Sequence, residues 1–137
     1  MVEQRTILLV EDDKVDVMTV KRAIKRVGIN NPLSVANNGE EALAFLRNPA
    51  NPKVGLILLD INMPRMNGIE FLREREKDAQ LKKIPVIMLT SSGEDQDRLQ
   101  SFQHSISGYM IKPVDFQQFV KMMETINGYW SLSELAD

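Results

Sequence analysis

The sequence predicts an α/β fold: a five-stranded parallel sheet, doubly wound, with helices on both faces in a three-layer sandwich. Two observations predict it. Short β-branched or Leu-rich runs alternate with longer segments whose apolar residues recur at helical spacing, which is the pattern of repeated strand-helix units. The chain has 137 residues, of which 43% are hydrophobic. That suits one compact core and leaves no room for five crossovers and a second domain.

The elements follow in order. A first strand is expected near Thr6 to Val10. A helix then begins at Lys14 behind Asp13 as its cap, carries Val17, Val20, Ile24 and Val27 on one stripe, and is ended by Gly28. A second strand near Leu33 to Ala36 leads into a helix marked by Ala42, Leu43 and Leu46 and closed by the Asn48 to Pro52 stretch. The third strand, near Leu56 to Leu59, precedes a helix with Ile69, Phe71 and Leu72. The fourth, near Val86 to Leu89, precedes one with Leu99 and Phe102. The fifth, near Gly108 to Ile111, precedes one with Phe116, Phe119, Val120, Met123 and Ile126, closed by Gly128. Residues 1–129 are expected to form one domain, with 130–137 as a short tail, too short for a DNA-binding output domain.

Composition narrows the function classes. With 17 basic against 19 acidic residues the formal net charge is −2, which offers no general field for nucleic acid or an anionic membrane. No apolar run reaches the roughly 20 residues of a membrane helix. The chain reads as cytoplasmic, with proteins or small ions as partners. The absence of cysteine excludes disulfides, thiol catalysis and thiolate metal sites, and the single His excludes a histidine-rich metal cluster. Lys21, Arg22, Lys25 and Arg26 form a basic patch, read as a solvated face late in a helix. His104 reads as exposed filler.

The carboxyl edge of the sheet carries the chemistry, because ligands of open α/β sheets bind beyond that edge. ILLV is followed by Glu11 and Asp12, LILL by Asp60, VIML by Thr90 and YMI by Lys112. Parallel strands align their ends, so three carboxylates, a hydroxyl and an ammonium are expected around one small space. Polar residues after strands are common in loops, but carboxylates packed that closely repel one another unless a cation intervenes. Mg²⁺ is the hard cation that takes few carboxylates together with water and a phosphate oxygen. A carboxylate beside it can attack phosphorus, with Lys112 and Thr90 meeting the charge on the phosphoryl oxygens. Asp60 is the nucleophile candidate.

ILLVEDD, LLDINMPRMNG, VIMLTSS and SGYMIKP, in that order from about Thr6 to Ile126, resemble the signatures of the receiver domains of two-component response regulators. The resemblance implies a flavodoxin-like sheet of order 2-1-3-4-5. It implies that Asp60 accepts the phosphoryl group, and that Asp12, Asp60 and the backbone carbonyl of Asn62 bind Mg²⁺ directly, with Glu11 acting through water. By the same resemblance Lys112 contacts the phosphoryl group, Thr90 senses it, the small Ser91 leaves the site open, and Tyr109 is the aromatic switch. Lys112 to Pro113 resembles the family's cis bond, though trans is the default for such a pair. Asn62 and Ser92 stand where relatives tune phosphate loss, and Glu11 stands where many have Asp.

The resemblance further implies a sensor histidine kinase as phosphodonor. The tail, KKIPVIML and NPANPKVGLILLD are similar to small regulators paired with phytochrome-type kinases. Homodimerisation through the fourth helix, fifth strand and fifth helix is expected from the wide apolar spread of Phe116, Phe119, Met122 and Met123, for which ordinary core packing is the competing reading. Three other readings stand beside this one. A Mg²⁺-dependent phosphatase of the haloacid-dehalogenase type wants a second Asp two residues after the nucleophile, where this chain has Asn62. A flavodoxin-like cofactor carrier wants a phosphate loop after the first strand, where this chain has EDDKVD. An unphosphorylated interaction module would use the same fold without the chemistry. Turnover of external substrates is not expected.

Overall fold

The computed structural model describes residues 5–91, 93–112, 115–122 and 124. Among them, β1 (Thr6–Val10), β2 (Leu33–Ala36), β3 (Val54–Asp60), β4 (Val86–Thr90) and β5 (Gly108–Ile111) form one parallel sheet of order β2-β1-β3-β4-β5. The helices α1 (Lys14–Val27), α2 (Gly39–Arg47), α3 (Gly68–Glu76) and α4 (Gly93–Arg98) follow the first four strands, and residues 116–122 form α5.

Both faces of the sheet are buried, so the central strands are apolar without alternation. Leu8, Val10, Ile57, Leu59, Val86 and Met88 pack against Ala42 and Leu43 of α2 and Ile69, Phe71 and Leu72 of α3. On the other face, Ile7, Leu9, Leu56, Leu58, Ile87, Leu89 and Met110 meet Val20, Ala23 and Ile24 of α1 and Phe119 of α5. Successive residues of a strand therefore belong to different layers, as the two-residue period requires.

Helix ends obey local chemistry. The Asp13 side chain accepts from the amides of Val15 and Asp16 at the start of α1, and Gly28 ends that helix in the left-handed region at φ 83°. Asn67 and Glu70 form a reciprocal capping box at the start of α3. At the far end of α3, Arg75 is buried, and its Nη2 donates to the carbonyls of Lys82 (3.0 Å) and Ile84 (2.6 Å).

The structure departs from the sequence reading in two places. β3 runs from Val54 to Asp60, longer at both ends than the Leu56 to Leu59 run, because its neighbours β1 and β4 supply ladder partners beyond the apolar residues. Asp60 and Thr90 are thus the last residues of their strands. α4 stops at Arg98, and a 3₁₀ turn (Gln100–Phe102) follows, so Leu99 and Phe102 reach the core at a three-residue spacing. In α5, Phe119 is core, and Phe116 and Met122, both partly buried, pack against the same cluster, as the competing reading of ordinary core packing expects of these residues. Ser92, Pro113, Met123, Ile126, Gly128 and the 130–137 tail lie outside the described residues, and with them the readings of the Lys112 to Pro113 bond, the last helix end and the tail.

Candidate functional site

Strand register builds the site. Val10 pairs with Leu59, Asp60 with Leu89 and Thr90 with Ile111, so the residues at or just past those positions meet at one edge. Glu11, Asp12 and Asp60 each bring a carboxylate oxygen within 4.8 Å of the others. Asp60 and Glu11 are buried and Asp12 is exposed. The set is all hard oxygen, with two buried members and one open to solvent, which fits a divalent cation that keeps part of its water shell.

Lys112 enters from the end of β5. Its Nζ lies 3.0 Å from Glu11 Oε2, 2.9 Å from Asp16 Oδ2 and 3.4 Å from Asp60 Oδ2. A core strand can end on a carboxylate here because this ammonium offsets part of the buried charge.

The protonation energetics follow from burial. Desolvation pushes the Glu11 carboxyl up to about 7, against the Asp13 amide that donates to it and with the Asp60 charge adding to the rise. Desolvation raises Asp60 as well, with Lys112 as the main opposing influence. Burial alone would lower the Lys112 ammonium, but hydrogen bonds to Asp16 and Glu11 and the charge of Asp60 hold it raised. The site thus holds excess negative charge that a divalent ion would relieve.

Two loops close around this edge. Gly68 sits so close to the end of β3 that a Cβ there would lie 2.6 Å from the Asp60 carbonyl oxygen and 2.9 Å from Ile61 Cα. Its amide donates to the Ile61 carbonyl at 3.0 Å. Only a glycine lets the start of α3 approach that strand end. Between them, Arg65 takes a left-handed backbone at φ 64°, and the Met66 carbonyl accepts from the Gly39 amide at 2.8 Å.

Asn62, expected beside the metal through its carbonyl, has its amide nitrogen 3.5 Å from Asp60 Oδ1. Its side chain turns away and donates to Asp95 Oδ2 at 3.3 Å. Thr90 is fully buried, and its hydroxyl donates to the Met110 carbonyl at 3.4 Å. Tyr109 precedes that residue in β5, is half-buried, and packs against the cluster containing Leu99 and Phe102.

Sequence reasoning missed two acidic residues. Asp16, in the first turn of α1, reads as an ordinary complement to the helix dipole, yet its carboxylate bonds Lys112. Asp95, in the first turn of α4, is buried and accepts from the Ser91 amide at 2.9 Å as well as from Asn62, tying together the loops after β4 and β3. The four-residue step from Ser91 to Asp95 was the one available signal for it. The basic patch is partly structural, since the Arg26 guanidinium lies 5.8 Å from the centre of the Phe116 ring. Among the described residues no helix is long and apolar enough to cross a membrane.

Comparison with known proteins agrees with this geometry. The family model of the response regulator receiver domain matches residues 7–124. The response regulator Rcp1 of Synechocystis sp. is 35% identical over 130 residues, covering 92% of this chain and 88% of the relative. The solved structure of the bacteriophytochrome response regulator RtBRR is 39% identical, with a TM-score of 0.76 over 87% of this chain and 75% of that one. The Mn²⁺-bound form of Rcp1 superposes with a TM-score of 0.76 over 92% of this chain and 94% of that one, at 35% identity.

Proposed function

This chain belongs to the response regulator receiver family of two-component signalling, and on that premise we propose that Asp60 is its phosphoacceptor and Mg²⁺ the ion its acidic cluster takes. The phosphoryl group of such a regulator comes from a histidine kinase. The observation that carries the assignment to Asp60 is its position: a buried carboxylate with the Lys112 ammonium 3.4 Å from one oxygen and carboxylate oxygens of Glu11 and Asp12 within 4.8 Å.

In the transfer, an Asp60 oxygen forms a bond to phosphorus while the bond from phosphorus to the kinase histidine breaks. The electron pair of that bond stays on the imidazole nitrogen, which takes up a proton. Lys112 presents its ammonium to the phosphoryl oxygens, and the fixed β3 end keeps the nucleophile in line. Glu11, Asp12, Asp60 and the Asn62 carbonyl would hold Mg²⁺, which offsets the repulsion between the carboxylates and the incoming phosphoryl group. No carboxylic acid stands two residues past Asp60, which supports a regulator that modifies itself over a phosphatase acting on external substrates.

Transmission starts at Thr90. Its hydroxyl spends its proton on the β5 carbonyl of Met110, and turning toward the phosphoryl group would release that strand next to Tyr109. A bound phosphoryl group adds up to about two negative charges, enough to bias two existing arrangements. The surface so switched is α4, β5 and α5. Ile111 on edge strand β5 is 57% exposed and is the apolar contact that supports homodimerisation through this face. Val15 and Met18, 72% and 53% exposed on α1 beside Asp16, offer an apolar contact for the kinase. The identity to a bacteriophytochrome response regulator supports a phytochrome-type kinase as the donor.

Incubation with acetyl phosphate and Mg²⁺, followed by intact mass measurement, tests the assignment. One added phosphoryl group is expected on the wild type and none on Asp60→Asn, and equal labelling of both would refute it.

A further inference from the structure

The Lys112 ammonium has three N–H bonds to give, and three carboxylates take them. Asp16 Oδ2 is the nearest at 2.9 Å, Glu11 Oε2 follows at 3.0 Å, and Asp60 Oδ2 is the farthest at 3.4 Å. The Asp16 side chain is only 14% exposed and that of Lys112 only 15%, so water screens the pair weakly. Asp16 does not cap its helix, because Asp13 does so and the Asp16 amide is one of the groups it receives. Nor is it among the carboxylates that gather for a cation, which are Glu11, Asp12 and Asp60. Its charge is directed at the ammonium and at nothing else described in the site.

Resting on the reading of Asp60 as phosphoacceptor, we propose that Asp16 is a positioning residue that holds the Lys112 ammonium back from Asp60 and so weakens the grip of the site on the phosphoryl group. An anion on Asp60 must compete with Asp16 for the same three N–H bonds. Asp16 also leaves one more negative charge close to the place where phosphoryl oxygens gather. Both effects act in one direction, and neither needs Asp16 to touch phosphorus. The grip of the phosphorylation site is thereby set from α1, an element that carries none of the groups bonded to the metal or the phosphoryl group.

The test uses beryllium trifluoride, an anion that occupies a phosphoacceptor carboxylate, with the full chain in saturating Mg²⁺ and binding followed by calorimetry. Asp16→Asn and Asp16→Ala are expected to bind it roughly three- to tenfold more tightly than the wild type, the size of one partly buried ion pair. Asp16→Glu, which keeps the charge, is expected to track the wild type. Damage to the fold would weaken binding, so the sign separates the proposal from a merely structural role. Unchanged or weaker binding in both the Asn and Ala variants overturns it. A wild type that neither binds the anion nor takes a phosphoryl group from acetyl phosphate overturns the phosphoacceptor reading, and this inference with it.

Discussion

Lys112 Nζ donates to Glu11 Oε2 at 3.0 Å across 101 residues of sequence. The contact joins the end of β5 to the end of β1, although β3 and β4 lie between those strands in the sheet. Only side chains leaving the carboxyl edge can make it, so this ion pair reports that the edge is assembled.

Burial of Glu11 makes stability depend on pH. Its folded value of about 7 lies above its ordinary 4.5, so its stabilising contribution is complete below about pH 4.5 and is lost as pH rises through 7. In chelated buffer, urea unfolding should lose on the order of 2–3 kcal/mol from this group between pH 5 and 8. Glu11→Gln should flatten that slope, and a wild type whose stability rises over the same range would contradict the account. Protons and the cation compete for this carboxylate, so Mg²⁺ should bind more tightly at pH 8 than at pH 6.

Gly68→Ala should damage the site from outside it. The new methyl would press on the Asp60 carbonyl oxygen at 2.6 Å and on Ile61 Cα at 2.9 Å, both backbone atoms with no easy retreat. A loss of about 2–3 kcal/mol in unfolding free energy is expected, together with slower labelling by acetyl phosphate because the β3 end shifts. Wild-type stability and labelling rate in this variant would mean that the loop yields freely.

The fold was legible because parallel strands buried on both faces must be apolar runs, and ILLV, LILL and VIML are unbroken. Most of the site was legible for a related reason: the first polar residues after aligned strands have to share an edge. Asp16 was not legible, because a helix position says nothing of which strand end its side chain faces until α1 has docked on β1 and β3. Asp95 was hidden likewise, since its partners Ser91 and Asn62 come from two different loops. The apolar breadth of α5 admits two uses, because Phe116 and Met122 flank the core and keep part of their surface open to solvent.

Thr90→Ala should separate chemistry from response. The bond to the Met110 carbonyl is long at 3.4 Å, so its loss together with that of the buried methyl should cost about 1–2 kcal/mol of stability. Beryllium trifluoride with Mg²⁺ should shift the NMR signals of Tyr109 in the wild type and much less in Thr90→Ala, with Thr90→Ser restoring the shift. Equal shifts in wild type and Thr90→Ala would remove Thr90 from the switch.

The most direct measurement is to locate the phosphoryl group. An aspartyl phosphate is reduced by borohydride to homoserine, so phosphorylation with acetyl phosphate and Mg²⁺, reduction and peptide sequencing by mass spectrometry identify the acceptor. The account predicts homoserine at position 60 and at no other carboxylate. Homoserine at Glu11's neighbour Asp12 or elsewhere, with Asp60 intact, would contradict it.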